Sequence, residues 1–104
     1  MAISATLVAD SATTVYTSTN NSAITFISFT NYSVASVDLD INLVPSGGSV
    51  SNTNLLVDGL TIAANDTYQL YASSEKLLLA NGDFISATAN TVTSINCVAS
   101  YTSI

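Results

Sequence analysis

Apolar and polar residues alternate with a period of two along much of the chain. The clearest stretch is residues 37–43, VDLDINL, in which every second residue is apolar. Because successive side chains of a β-strand point to opposite faces, this pattern predicts a strand with one buried face and one solvated face. A helix would spread the same apolar residues around its whole circumference.

Other segments give the same kind of signal. Residues 23–32 carry apolar side chains on both faces, which predicts a central strand covered on two sides. The final strand is predicted at residues 92–101, with Ile95, Cys97 and Ala99 on one face. Leu and Ala within residues 71–80 favour a helix, but the single turn of charged residues, Glu75-Lys76, is too little to predict one. Shorter strands are predicted at residues 3–8, 13–17, 54–57, 60–63, 68–71, 77–79 and 84–88.

Turn-forming residues separate these segments at intervals of about ten residues, as in small all-β domains. Asn81-Gly82 is the pair favoured in a type I′ turn, and Asp58-Gly59 marks another turn. Residues 46–54 are predicted to form an exposed loop. The pattern therefore predicts an all-β fold: a single antiparallel β-sandwich or jelly-roll-like domain that covers residues 1–104.

Charge is scarce and almost entirely acidic. The chain has 104 residues, 8% of them charged, a net charge of −6, no His, and Lys76 as its one cation. No basic patch is available for a nucleic-acid backbone or for anionic lipid. The longest plain apolar run, residues 77–80, is too short for a membrane-spanning helix. The N-terminus lacks the pattern of a secretory signal, and we expect neither nucleic-acid nor membrane partners.

Candidate catalytic and metal-binding residues are few. Without His, the many Ser and Thr residues have no ordinary general base beside them. Cys97 lies within an alternating strand and is interpreted as a small buried hydrophobic residue. Asp38 and Asp40 lie on one strand face, where a calcium or glycosidase site is conceivable, but a solvated face is the simpler interpretation. We therefore expect no enzymatic activity, no metal and no cofactor.

Apolar residues are more abundant than the charged fraction would suggest, at 48% with a mean hydropathy of +0.47. With no membrane segment to account for this excess, surface buried against other subunits is the simplest explanation, which predicts a homo-oligomer. Five Tyr and three Phe leave a carbohydrate-binding module as an alternative. Tyr68 and Tyr71 would lie on opposite faces of one strand, however, and so would not form a single platform.

Four segments together resemble a known class of protein. They are residues 75–89 (EKLLLANGDFISATA), 98–101 (VASY), 14–17 (TVYT) and 44–48 (VPSGG). In this order they resemble small β-sandwich virion proteins of tailed bacteriophages, including phages of cyanobacteria. The resemblance implies a non-enzymatic structural protein that is made in the cytoplasm of the host bacterium and displayed on the virion.

Within a virion, the resemblance implies contacts with the major capsid protein or other virion proteins. A capsid decoration or cement protein is favoured because the chain is one compact domain, and a neck, tail or fibre-associated module is the alternative. Terminal strands and long loops are where such proteins commonly reach their neighbours. The candidate contact residues are therefore Ala2, Ile3, Ala5, Leu7 and Val8 in the N-terminal segment, and Pro45, Ser46, Gly47, Gly48 and Val50 in the loop.

Overall fold

The computed structural model describes residues 2–70 and 77–104, in which nine β-strands form two antiparallel sheets packed face to face. A single turn of 3₁₀ helix covers Asn52–Asn54. The fold is the predicted antiparallel β-sandwich. The strands are β1 (Ala2–Val8), β2 (Thr13–Thr17), β3 (Ser22–Asn31), β4 (Val37–Val44), β5 (Leu55–Ile62), β6 (Thr67–Leu70), β7 (Leu77–Leu79), β8 (Phe84–Ala89) and β9 (Ile95–Ser103).

The chain passes repeatedly between the two sheets. One sheet has the order β1-β9-β3-β6, with β7 also paired to β3, and the other has the order β2-β8-β4-β5. Strands β6 and β7 pair with different parts of β3 and so share one position beside it. Counted in this way, the two sheets have the strand order of a jelly roll, an eight-stranded sandwich built from two Greek keys.

The core lies between the inner faces of the sheets. Phe29 and Ile27 of β3 and Leu39 and Ile41 of β4 are among its largest fully buried side chains. Strand β3 is central in its sheet, as predicted, but among the described residues the other sheet covers only its inner face, so the predicted cover on both faces is wrong. The alternation in β4 likewise places Val37 in the core.

Two predictions about residues 54–63 are wrong, the division into two strands and the turn at Asp58-Gly59. Residues 54–57 and 60–63 are not separate strands joined by a turn at Asp58-Gly59, because Leu55–Ile62 is one continuous strand. Its register against β4 shifts beside these residues, and Gly59 has a φ of +63°. Glycine adopts this left-handed conformation at little cost, so the pair forms a bulge within the strand instead of a turn.

The predicted type I′ hairpin turn at Asn81-Gly82 is wrong. Gly82 has a φ of +88°, but Asn81 is not among the residues with positive φ, which a type I′ turn requires at both central positions. Instead, the N–H of Asp83 donates to the carbonyl of Ala80 at 3.1 Å in a turn that carries the chain from one sheet to the other.

Strand β9 begins at Ile95, three residues later than predicted. Thr93 has a φ of +55°, which is incompatible with extended backbone, and the Ser94 hydroxyl donates to the carbonyl of Thr91 at 2.7 Å. Residues 91–94 are therefore a turn. Most of the helix considered at residues 71–80 lies outside the described residues, and so does Tyr71, the predicted end of a strand. Residues 77–79 form a strand, as predicted.

Candidate functional site

Strand β1 alternates between the core and the surface. Ile3 and Leu7 point away from the core and are 74% and 49% exposed. Between them, Ala5 is also exposed. Val8, in contrast, is fully buried in the core, so its place among the candidate contact residues is corrected. The strand pairs with β9 in one regular register along its whole length, which holds the exposed side chains in a straight row.

The exposed row of β1 belongs to a larger surface, the outer face of the five-stranded sheet. Residues paired across neighbouring strands project to the same face, so the registers define which side chains share this surface. We call it the uncharged face. Its rows are Ile3, Ser100 and Phe26; Ala5, Val98, Ser28 and Gln69; Leu7, Asn96, Thr30 and Thr67; and Thr102, Ala23 and Leu78.

None of these fourteen side chains carries a charge. Leu78 stands at one side of the face and is 68% exposed, while Phe26 and Val98 near the middle are half-buried. Leu78, Phe26 and Val98 are not among the contact residues predicted from the sequence. The alternation within each strand carried part of the signal, but only the strand order shows that these rows lie side by side.

The acidic side chains of the described residues lie elsewhere. Asp38 and Asp40 project from the outer face of the four-stranded sheet, where the Asp38 carboxylate accepts from the Thr61 hydroxyl at 2.8 Å. The Asp40 carboxylate accepts from the backbone N–H of Gly59 at 2.7 Å. The bond from Gly59 lies at the β5 bulge and fixes its conformation. Residues 2–70 and 77–104 hold no cluster of three or more His, Cys, Asp or Glu side chains that would bind a metal ion.

The second candidate contact region, residues 45–54, is an exposed loop as predicted, and hydrogen bonds fix its conformation. Asn42 on β4 is buried beneath it, and its side-chain amide donates to the Ser51 carbonyl at 2.9 Å and to the Asn54 side chain at 2.8 Å. Pro45 and Gly48 close a turn through a backbone bond of 2.9 Å. All five candidate residues of the loop are exposed: Pro45, Ser46, Gly47, Gly48 and Val50.

The loop and β1 do not form one surface. The loop leaves β4 in the four-stranded sheet, whereas β1 is an edge of the five-stranded sheet. Near the start of the loop, a mostly apolar pocket of about 250 Å³ adjoins Leu78, one member of the uncharged face. The pocket lining comprises Leu43, Val44, Pro45, Leu78, Leu79 and Asp83.

Buried polar side chains form structural networks. The Tyr16 hydroxyl donates to the Ser22 hydroxyl at 2.9 Å, and the Ser22 and Ser18 hydroxyl oxygens are 2.5 Å apart. In the described part of the chain, every buried side-chain nitrogen and oxygen has a hydrogen-bond partner. Cys97 is buried on the inner face of β9, and desolvation raises the pKa of its thiol to about 12. A protonated thiol of this kind is a poor nucleophile.

Several aromatic rings of the described residues lie in the core or pack against it. Tyr16 and Tyr101 pack against each other between the two sheets, with ring centroids 4.4 Å apart. Tyr68 packs against the core. Tyr32 is the one largely exposed aromatic side chain in residues 2–70 and 77–104, so these residues present no pair of exposed rings on which a sugar would stack.

Within residues 2–70 and 77–104, no helix is long and apolar enough to cross a membrane. Comparison with models of protein families, with curated proteins and with solved structures finds no match to this chain.

Proposed function

We propose that this chain is a non-enzymatic structural protein of a tailed-phage virion, a capsid decoration protein that binds the major capsid protein and stabilises the head lattice. The observation that carries the proposal is the uncharged face with its exposed Ile3, Leu7 and Leu78. The centres of protein–protein interfaces are depleted in charged residues, and large exposed apolar side chains on one face are typical of a binding surface.

Two further observations support this proposal. Jelly-roll sandwiches are common in viral capsid and lectin domains, although a fold alone does not decide a function. The resemblance of residues 14–17, 44–48, 75–89 and 98–101 to small virion proteins agrees with the same role. The compact domain favours capsid decoration over a fibre or tail role, where extended repeats are typical.

The mechanism would be additive. Each copy buries a modest area of methyl, hydroxyl and amide groups, and many copies on one lattice together resist internal pressure. Because the uncharged face has no ionised side chain, its contacts are little weakened by salt. A decoration protein of this kind would stay on the particle over a wide range of ionic strength.

Copy number on purified particles of the encoding phage tests this proposal. Quantitative mass spectrometry should find on the order of hundreds of copies for a capsid coat, because every lattice position offers a site. About six to twelve copies would instead indicate the neck or tail and would overturn the decoration role. Absence from the particle would overturn the proposal altogether.

Point substitutions on the uncharged face test the surface itself. Val98→Lys and Leu78→Lys each place a charge within the proposed interface, and we expect both to lower occupancy on undecorated heads at least tenfold. Thr61→Lys is the matched control, because Thr61 is exposed on the outer face of the other sheet. Equal occupancy of all three variants would overturn the assignment of the surface. Deleting residues 2–8 is less informative, because it also removes Val8 from the core.

A further inference from the structure

The edges of the two sheets differ in how well they are protected from pairing with another chain. Short length, charged side chains and bulges are the usual devices that prevent such pairing. Among the described residues, β6 and β7 have only four and three residues. Strand β2 has a register shift after Thr14, and β5 carries the bulge at Asp58-Gly59.

Strand β1 has none of these devices. It is seven residues long, contains no charged residue and no proline, and keeps one register with β9 throughout. Its two large exposed side chains, Ile3 and Leu7, are apolar. In the described part of the chain it has no second strand partner, so its other edge is open to a strand of another molecule.

The sequence of β1 complements itself when it is reversed. Residues 3–7 read I-S-A-T-L, so an antiparallel pairing centred on Ala5 places Ile3 opposite Leu7 of the second copy. In the same pairing Ser4 lies opposite Thr6, and Ala5 lies opposite itself. Apolar side chains then meet on the outer face and hydroxyls meet on the inner face. Self-complementarity of this kind is what a two-fold symmetric interface requires.

Charge restricts where two copies of this chain can meet. The chain has a net charge of −6, so two copies repel each other wherever their acidic surfaces meet. Strand β1 and the uncharged face beside it bring no carboxylate to the contact. We propose that two copies of this chain pair β1 with β1, antiparallel about a two-fold axis at Ala5, and join their five-stranded sheets into one continuous sheet. This inference rests on the proposed function, because it names one of the contacts of the structural protein.

A disulfide at the axis tests the register. Opposite Cα atoms of antiparallel strands lie about 4.5–5.5 Å apart, which is within reach of a disulfide. We expect the full-length Ala5→Cys variant to run as a covalent dimer on a non-reducing gel after mild oxidation. Leu7→Cys is the matched control, because the two copies of position 7 would lie about 13 Å apart along the strands. Buried Cys97 is common to both variants. Equal cross-linking of the two variants, or none in either, would overturn the register.

Paired charges test the interface independently. Ile3→Lys combined with Leu7→Lys places like charges opposite each other and should give a monomer in sedimentation velocity. Ile3→Lys combined with Leu7→Glu places opposite charges together and should restore the dimer. Both double variants have similar bulk, and circular dichroism will show that both are folded. Leu78→Lys should leave the dimer intact, because Leu78 is remote from β1 in the strand order. Dissociation by Leu78→Lys would instead assign the contact to the sheet face and overturn edge pairing.

These outcomes separate the two proposals. A chain that remains monomeric at high concentration but coats phage heads would overturn the β1 dimer and leave the decoration role standing. A dimer with the predicted disulfide that is absent from particles would support edge pairing and overturn the virion role.

Discussion

The carboxylate of Asp83 accepts a hydrogen bond of 2.9 Å from the backbone N–H of Ser46, 37 residues earlier in the chain. Its other oxygen accepts from the backbone N–H of Ala80 at the same distance. One side chain therefore connects the turn before β8 to the start of the loop at residues 45–54. This connection, together with the amide of Asn42 beneath the loop, presents the candidate contact residues in a fixed conformation.

We expect Asp83→Ala to lower the free energy of unfolding by about 1–2 kcal/mol, because two backbone donors lose a charged acceptor that is partly exposed to solvent. Amide hydrogen exchange should become faster at Ser46 and in the loop, while the core strands keep their protection. Asp58→Ala is the control, since the Asp58 carboxylate makes no hydrogen bond with the described residues. Equal urea midpoints for the two variants would contradict this role of Asp83.

Glycine is required at position 82 for two reasons: the backbone has a positive φ, and a side chain there would meet the Ser46 side chain. Two glycine variants distinguish these reasons. Gly82→Ala must adopt a φ of +88° and also places a methyl group against the Ser46 side chain. Gly59→Ala must adopt a φ of +63°, but its methyl group meets no atom within 4 Å. We expect Gly59→Ala to cost about 1–2 kcal/mol from backbone strain alone and Gly82→Ala to cost more.

The same comparison in a Ser46→Gly background isolates the steric contact by a double-mutant cycle. Removing the Ser46 side chain should bring the cost of Gly82→Ala down to that of Gly59→Ala in urea unfolding. If the cost of Gly82→Ala stays the same in this background, steric contact with Ser46 is not the cause.

The thiol of Cys97 should resist chemical modification until the protein unfolds. Because burial raises its pKa to about 12, it stays protonated in the native state, and a disulfide reagent at pH 8 should label it only at the rate of unfolding. Adding urea should accelerate the labelling in parallel with the loss of circular dichroism. Rapid labelling of the native protein would show that β9 opens locally.

The raised pKa of Cys97 also predicts a dependence of stability on pH. The unfolded chain ionises near its ordinary pKa of 9.0, whereas the folded chain ionises only near about 12. The contribution of the protonated thiol is therefore fully present below pH 9 and is lost as the pH rises towards 12. The difference in unfolding free energy between wild type and Cys97→Ala should fall over this range. A difference that is constant with pH would contradict this assignment.

Thr93 offers a stabilising substitution. Its φ of +55° is costly for a β-branched residue, and its side chain is exposed in the turn before β9. Asparagine tolerates this conformation better, so Thr93→Asn should raise the unfolding free energy by about 0.5–1 kcal/mol. Thr91→Asn, in the same turn but without a positive φ, is the control for the change in side chain. Thermal unfolding of both variants measures the difference.

Local pattern predicted most of the strands and the buried face of β4. The period of two in β4 placed Val37, Leu39 and Ile41 in the core, because the pleat alternates side chains whatever the strand pairs with. The exposed loop at residues 45–54 followed from its turn-forming residues. Each of these properties depends on neighbours in sequence.

The tertiary structure decided what depends on residues distant in sequence. Strand β1 pairs with β9 at the opposite end of the chain, so Val8 faces the core while Ile3 and Leu7 face outwards. The bulge at Gly59 depends on Asp40 of the neighbouring strand. The turn at Gly82 depends on the change of sheet between β7 and β8. Neither is encoded in Asp58-Gly59 or Asn81-Gly82 alone. The uncharged face exists only because five strands that are far apart in sequence lie side by side in one sheet. Strand order is a property of the whole core, since it is selected by the combined packing of both sheets and not by any one segment.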